Sequence, residues 1–520
     1  MEPLSKTAKI FIAITTISAA IMELIDTSIV NVALNQMAGN LGASIEDIAW
    51  VITSYAIANV IIIPMTGFLA TYFGRLRYYM FSIALFTVAS ILCGTSTSLW
   101  ELVFWRFVQG LGGGALLSTS QAILFENFTG KERGMAAALF GMGVVLGPTL
   151  GPTVGGLIID SYSWPLIFFI NIPFGIVASI LAYNFVPRTP KVDVKPSIDW
   201  SGIFLLTIGI GALQYVLERG ETEDWFDSRL IIGLALVAAV GLITFIWWEF
   251  KVKEPVVNLR IFKDRNLMIT AILTFFVGFI LFTSVFIFPL MLQRVLGYTA
   301  YETGITLLPA SVLSIIFMPL IGKKLQQGTN PQIFVTLGFI TLMGFGLLMS
   351  QADQNVSSGF FTLPLMIRGA GLALLFVPLN AMAVAGLAPK DIAQGVALNN
   401  MVRQIGGSFG IAIVNNYIAH RTAIHRVDLV SNIYNGSPQF AERYTQIYQG
   451  LQSKLPVAAN LPQQTYQIME LSMMKQVYLR SYLDAFVYVT IFIMVAFPLI
   501  FLARRAPKAN KETLHAAEEV

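Results

Sequence analysis

Long apolar runs separated by short polar or basic segments occupy the chain from about residue 9 to residue 503. They are continuous and lack the strict alternation of a half-buried strand. A membrane-spanning helix needs about 20 apolar residues, and hydrocarbon admits only helices and closed barrels. The runs therefore predict fourteen transmembrane helices, at 9–35, 46–70, 78–96, 100–125, 133–160, 164–186, 199–218, 229–250, 267–293, 302–321, 332–350, 359–387, 391–419 and 480–503. One polar stretch breaks the rhythm, at 421–479, and a loop of that length is usually functional or disordered. It carries helical signals at Gln439–Gln452 and Gln463–Leu479. In the first, Tyr444, Ile447, Tyr448 and Leu451 recur at helical spacing and give it one apolar face.

Composition agrees with the pattern. The 520 residues are 56% hydrophobic and 12% charged, with a mean hydropathy of +0.70. A soluble domain carries about 25% charged residues. The expected fold class is an all-α integral membrane protein, not a globular enzyme. The single Cys93 lies in an apolar run, which leaves no disulfide within one chain. His420, His425 and His515 fall at helix ends or in polar segments, so no metal site is expected. A net charge of +4 does not suggest nucleic acid. Charge placement says more: with the N-terminus inside, 21 of the 33 lysines and arginines fall on the cytoplasmic side. Both termini are then cytoplasmic. The first run is too long for a cleavable signal and lacks a small-residue cleavage site, so it reads as a first span and signal anchor.

The two ends of the chain resemble each other. IIPMTG at 62–67 matches FMPLIG at 317–322, FVQGLGGGALL after Arg106 echoes GAGLALL after Arg368, and ERGMAAALFGMG from Glu132 echoes AQGVALNNMV from Ala393. Near-constant offsets argue a duplicated six-helix unit, the mark of secondary transporters. The expected units are an N-terminal half at 1–190, two inserted helices at 191–250, and a C-terminal half at 251–520 that contains the outer segment 421–479.

Within this apolar frame a few charges stand out. Glu23 and Asp26 lie inside the first span, three residues apart on one helix face. Insertion of Asp at a helix centre costs roughly 2.5–3.5 kcal/mol. Intramembrane acids are retained for function by default, and two such carboxylates suit a group that binds and releases a proton. The alternative is a polar pair that only fixes packing. Arg106 in LVFWRFVQGLGGG needs a buried anion or carbonyl, and Asp26 or Glu23 is the candidate. Arg403 falls within the thirteenth span. The fifth span reads GMGVVLGPTLGPTVGG from Gly141: Gly143, Gly147, Gly151 and Gly155 form one smooth stripe, and Pro148 and Pro152 remove helix hydrogen bonds. The segment GFLATYFGRLR places Gly67 and Gly74 where a tight turn is expected, with Arg75 and Arg77 as anchors.

These motifs resemble the major facilitator superfamily, specifically its fourteen-helix drug:proton antiporter branch of the EmrB/QacA type, across essentially the whole chain. IDTSIVNVAL at 25–34 resembles that branch's first-helix motif. Its antiporter motif matches Gly147, Pro148, Gly151, Pro152, Gly155 and Gly156, and its fourth-helix motif matches Arg106, Gln109, Gly110 and Gly112. ERGETEDWFDS at 218–228 resembles the connection between the inserted helices. Thr71 stands where the superfamily turn usually has an acid, Asn35 stands where the first-helix motif often ends in Pro, and Glu23 is outside that motif.

The resemblance implies a proton-coupled multidrug efflux antiporter that exports lipophilic and cationic compounds across the bacterial inner membrane, with no cofactor beyond the proton gradient. It implies Asp26 as a proton-coupling residue and gives no guidance on Glu23; the buried charges themselves suggest Asp26 as the main proton carrier, with Glu23 assisting and Arg106 as partner. Glu23, Asp26, Gln109 and Arg403 are the expected substrate-cavity residues. Gly67, Gly74 and Arg75 are the expected gating turn. A periplasmic membrane-fusion adaptor and an outer-membrane channel are implied partners, with segment 421–479 as a docking candidate or a tolerated insertion. The alternatives are a dedicated exporter of one endogenous metabolite or siderophore and, from another class, a non-transporting membrane receptor or sensor. No phosphate-binding loop suggests a primary pump, since FTGKER at 128–133 lacks the spacing and the hydroxyl.

Overall fold

The computed structural model describes residues 5–128, 130–188, 197–353, 356, 358–431, 437–454 and 460–502. The expected boundary at 190/191 and the basic tail from Arg504 fall outside them. The long helices are α1 (Lys6–Leu41), α2 (Trp50–Phe73), α3 (Arg75–Thr95), α4 (Leu99–Asn127), α5 (Arg133–Ser161), α6 (Leu166–Phe185, in two segments), α7 (Trp200–Arg219), α8 (Arg229–Lys251), α9 (Arg265–Met291), α10 (Ala300–Gln326), α11 (Pro331–Met349), α12 (Ser358–Ala383), α13 (Ile392–Ser431), α14 (Pro438–Lys454) and α15 (Leu461–Ala496). Their starts carry the expected chemistry. Thr299 and Glu302 form a reciprocal capping box on α10, and Asp264 caps α9. Among the described residues there is no strand.

Twelve of these helices are long and apolar enough to cross a membrane, so the count of fourteen is approximate. The two expected spans that fall short are α4 and α13, of 29 and 40 residues. They are long enough but too polar by composition, with Arg106, Gln109 and Gln121 in one and Asn399, Asn400 and Arg403 in the other. All six side chains are buried inside the bundle. Apolarity is required only of the surface a helix shows to lipid, and these two show little.

The duplication is visible in the packing. Within the first six helices α1 packs on α4, α5 and α6, α4 on α2 and α3, and α3 on α6. The same set recurs later: α9 on α12, α13 and α15, α12 on α10 and α11, and α11 on α15. Two seams join these groups, α5 against α10 and α2 against α13. The inserted α7 and α8 pack on each other through Gly209 and Gly241, and α7 also lies on α2 and α13. There Gln214 donates to Ser408 at 2.9 Å.

Helix α5 touches both groups, and its small residues set how closely. A Cβ at Gly143, Gly147, Gly151 or Gly155 would meet α1, at Ile21, Leu24, Ser28 and Ile29 in turn. On its other side a Cβ at Gly156 would lie 2.8 Å from the backbone nitrogen of Tyr301, and one at Gly134 2.9 Å from the carbonyl of Gly322. Ser311 of α10 donates to Thr149 at 2.7 Å midway between them. The proline-bearing helix is thus clamped along its whole length.

Two expectations need correction. Gly67 is not in the turn: it lies inside α2, where a Cβ would come 2.9 Å from Cα of Gln394 on α13. It is a close-packing residue of the second seam. The turn itself is Gly74 alone, at φ +86°, which a glycine adopts without strain. Arg75 pairs there with Glu126 at the end of α4, and Thr71 bonds back to the carbonyl of Gly67.

The segment 421–479 is also not a long loop. Helix α13 continues past its apolar part to Ser431, and the Gln463–Leu479 signal is the start of α15, continuous with the last span. The two polar extensions lie side by side and satisfy each other. Arg421 and His425 both reach Asp484, at 2.6 and 2.7 Å, and Thr422 donates to Ser481 at 3.1 Å. Helix α14 packs on α15, with Tyr444 stacked between Phe440 and Tyr448 and packed on Tyr466.

Gly151→Ala should lower thermal stability in detergent by about 1–3 kcal/mol, because the methyl must displace Ser28 or shift α1. Gly233→Ala in α8, where a Cβ meets nothing within 4 Å, should be neutral or stabilising by about 0.5–1 kcal/mol. Equal losses from the two would rule out the close α1–α5 contact.

Candidate transport site

The polar residues of the bundle fall into three layers. The first is built on Asp26, which is fully buried. Arg106 donates to its Oδ2 at 2.6 Å. Gln109 and Asn171 donate to its Oδ1 at 2.9 and 2.7 Å. The Gln109 carbonyl in turn accepts from Arg106 at 2.7 Å. Arg106 Nε donates to the Val51 carbonyl at 3.3 Å, and the guanidinium lies 4.2 Å from the ring centre of Tyr55. Ser90 anchors Asn171 at 3.0 Å. An arginine and two amides satisfy both carboxylate oxygens, which is what a buried ion pair requires to be stable. All of these partners belong to the first six helices, so Asp26 and Gln109 do not face the seam.

One turn away on α1, about 4.5 Å along the axis, lies Glu23. It does not pair with Arg106. Its Oε1 accepts from the Tyr55 hydroxyl and from Asn59, both at 3.1 Å. Its Oε2 is buried and makes no hydrogen bond. Gly113 of α4 leaves the space, since a Cβ there would lie 3.1 Å from Cγ of Glu23. Tyr55 touches both layers, with its ring over Arg106 and its hydroxyl on Glu23. Arg403 of α13 is also buried and, among the described residues, forms no ion pair; its guanidinium lies 5.0 Å from the ring centre of Phe376, and its Nη1 has no hydrogen-bond partner there.

The third layer lies nearer the end of the bundle where α1 begins. There Gln121 of α4 donates to Asn380 of α12 at 2.9 Å, Asn399 donates to the same oxygen at 3.4 Å, and Asn400 donates to Ser118 at 3.3 Å. The Gln121–Asn380 and Asn400–Ser118 bonds cross between the first six helices and the later group, so this end is closed. At the α5–α10 seam Arg368, the sequence counterpart of Arg106, has only Ser284 at 3.0 Å as a side-chain partner among the described residues. The cavity beside it measures about 10 Å³, room for about one water.

The structure thus brings Asp26, Arg106 and Gln109 together, places Glu23 one turn away on Tyr55 and Asn59, and buries Arg403 on α13 beside Phe376. The sequence reading missed Tyr55, Asn59, Asn171, Gln121, Asn380, Asn399 and Asn400. Their signal was available: each is a polar residue inside an apolar run, and the Asn399–Asn400 pair is conspicuous. Glu126, the partner of Arg75, gave no local signal.

Asp26→Asn should be strongly destabilising, by about 3–5 kcal/mol, because it leaves Arg106 buried without its counter-charge. Glu23→Gln keeps an oxygen for Tyr55 and Asn59 and should cost about 1 kcal/mol or less. Pairing Asp26→Asn with Arg106→Gln should recover part of the loss in a double-mutant cycle. Thermal unfolding of the four variants checks this, and the reverse order of Asp26 and Glu23 would refute the layered assignment.

Comparison with known proteins agrees with this architecture. The family model for the Major Facilitator Superfamily matches residues 16–411. The multidrug export protein EmrB of Escherichia coli K12 is 34% identical over 447 residues, 86% of this chain and 87% of that one. The fatty acid resistance protein FarB of Neisseria gonorrhoeae is 34% identical over 509 residues, 96% of this chain and 97% of that one. Among solved structures, the human organic anion transporter MFSD10 superposes with a TM-score of 0.61 at 12% identity, covering 95% of this chain and 99% of that one. The proton:xylose symporter XylE gives 0.57 at 13%, covering 95% and 97%. Twin helical groups joined along two seams, a buried acid–arginine pair and these matches lead to one conclusion: the chain is a multi-pass membrane protein of the major facilitator superfamily.

Proposed function

We propose that the protein is a proton-coupled multidrug exporter of the bacterial inner membrane, with both termini in the cytoplasm, that takes lipophilic cations and related compounds from the inner side. The observation that carries this reading is the pair of acids on α1 with opposite hydrogen-bonding states. Asp26 is saturated by Arg106, Gln109 and Asn171, whereas Glu23 Oε2, among the described residues, is buried without a hydrogen-bond partner. Protonation of Asp26 would release Arg106, and Tyr55 would pass that change to Glu23. A proton and a cationic substrate would compete for Glu23, so entry of one drives exit of the other. The names of the EmrB relatives support export of drugs. Rocking would occur about the α5–α10 and α2–α13 seams, with glycine contacts as bearings. The antiporter-motif glycines and Pro148 and Pro152 would set that contact, and Gly74 with Arg75 would hold the turn between α2 and α3. The helical projection of α13, α14 and α15 would meet a periplasmic adaptor, and through it an outer-membrane channel.

Everted vesicles test the coupling. With an imposed pH gradient, lipophilic cations should provoke proton release from vesicles that carry the protein. Asp26→Asn and Glu23→Gln should each abolish it while folded protein remains. Release that persists in both variants would move the coupling site off α1. Export of a single endogenous metabolite would appear instead as no release with any drug class.

A further inference from the structure

The second half of the repeat keeps the arginine and lacks its acid. In the first half Arg106 of α4 reaches Asp26 of α1 at 2.6 Å. In the second, α12 and α9 stand in the places of α4 and α1, and Arg368 of α12 reaches Ser284 of α9 at 3.0 Å. A neutral hydroxyl therefore stands where the first half has a carboxylate. Arg368 is only 5% exposed and forms no ion pair among the described residues. Arg403, the other buried arginine of this half, differs in having the Phe376 ring against its guanidinium. A guanidinium buried without a counter-charge is strongly unfavourable, so an anion that reaches Arg368 gains most of its attraction.

The space beside Arg368 sets the size of that anion. The cavity that it lines measures about 10 Å³, enough for one particle of about the size of water. Its walls come from four helices: Pro148 and Thr149 of α5, Leu281 of α9, Ser311 of α10 and Arg368 itself on α12. The polar groups among them are the guanidinium and two hydroxyls. Arg368 spends its Nε on Ser284, which leaves the Nη donors for an occupant. Ser311 donates to Thr149 at 2.7 Å, and Thr149 to the Val145 carbonyl at 3.1 Å. Turning the Ser311 hydroxyl toward the cavity offers one donor more.

We infer that this cavity binds a single chloride ion, which takes the part that Asp26 plays in the first half. Chloride is only a little larger than water, whereas a carboxylate or phosphate group is too large for the space. The site is complete only where α5 meets α9, α10 and α12. The ion therefore holds the α5–α10 seam in the arrangement described above, and it favours that arrangement by as much as it binds it better than any other. This chloride site lies apart from the acids of α1 and does not depend on proton coupling.

Thermal unfolding of the full-length protein in lipid nanodiscs tests it, with chloride replacing gluconate at fixed pH and ionic strength. Gluconate is too large for the cavity. The Tm should rise and level off, by roughly 2–4 °C over about a hundredfold range of chloride. Bromide should replace chloride, and acetate should not. Arg368→Gln removes the guanidinium and should leave the Tm independent of chloride. Ser284→Asp sets a carboxylate against the arginine, as in the first half. It should raise the Tm in gluconate and abolish the chloride response, and it decides the matter where Arg368→Gln folds poorly. A flat Tm in the wild-type protein would mean that the cavity takes water. A response that persists in Ser284→Asp would mean a general salt effect, and an acetate response equal to that of chloride would mean a wider site. Any of these three results overturns the inference.

Discussion

A charge inside an apolar bundle must find its opposite inside the same bundle, and the Asp26–Arg106 contact is where this chain meets that demand. Both side chains are buried, so the carboxylate and guanidinium together need several further polar contacts from protein. Gln109, Asn171 and the Val51 carbonyl provide hydrogen bonds, and the Tyr55 ring a face for the guanidinium. They come from α2, α4 and α6, so one ion pair on α1 ties together four of the first six helices. The large apolar clusters around it fix the distance between helices but not their rotation. The ion pair fixes rotation, because a turn of about 100° on α1 would withdraw Asp26 from all three of its donors. Once α1 is oriented in this way, Glu23 has no choice but to face Tyr55, Asn59 and Gly113.

The seam obeys a different constraint. Helices that must slide cannot be locked by interdigitated side chains, and helices in lipid gain little from apolar contact alone. Helix α5 resolves this with backbone-level contacts on both sides, to α1 through the stripe at Gly143–Gly155 and to α10 through Gly134 and Gly156. Gly67 against Gln394 performs the same service at the other seam. Among the described residues the polar bonds that cross the halves are few: Ser311 to Thr149, Gln121 to Asn380 and Asn400 to Ser118 are neutral, and Arg133 adds one charged donor to the Val384 carbonyl. The neutral ones are worth about 1 kcal/mol each, enough to bias one arrangement and small enough to break in turn.

Much of this was legible from local pattern. Span positions follow from apolar runs, the stripe on α5 from a four-residue glycine period, and the Asp26–Arg106 pair from the rarity of buried charge. What escaped the sequence depends on neighbours far along the chain. Nothing near Glu23 says that Tyr55 and Asn59 would occupy one of its oxygens and leave the other free. Gly67 looked like a turn residue because Gly74 and two arginines follow it, yet its neighbour is Gln394, more than three hundred residues away. The polar stretch after 420 read as a loop because hydropathy falls there. Helix needs backbone bonds and side-by-side support, not apolarity, and Asp484 with Arg421 and His425 gives that support.

The duplication sharpens the meaning of the charges. Two six-helix units with the same packing would be expected to hold equivalent polar cores, and Arg106 and Arg368 do occupy matching places in the repeat. Yet Arg106 has an acid and Arg368 has only Ser284. The repeat has kept the arginine in both halves and the carboxylate in one. An arginine that served packing alone would be the easiest of buried residues to lose, since an apolar side chain of similar volume is often as stable or more so. The two halves therefore carry unlike buried charge: among the described residues the second holds Arg368 beside Ser284 and Arg403 beside the Phe376 ring with no buried carboxylate, whereas the first holds Glu23 and the Asp26–Arg106 pair.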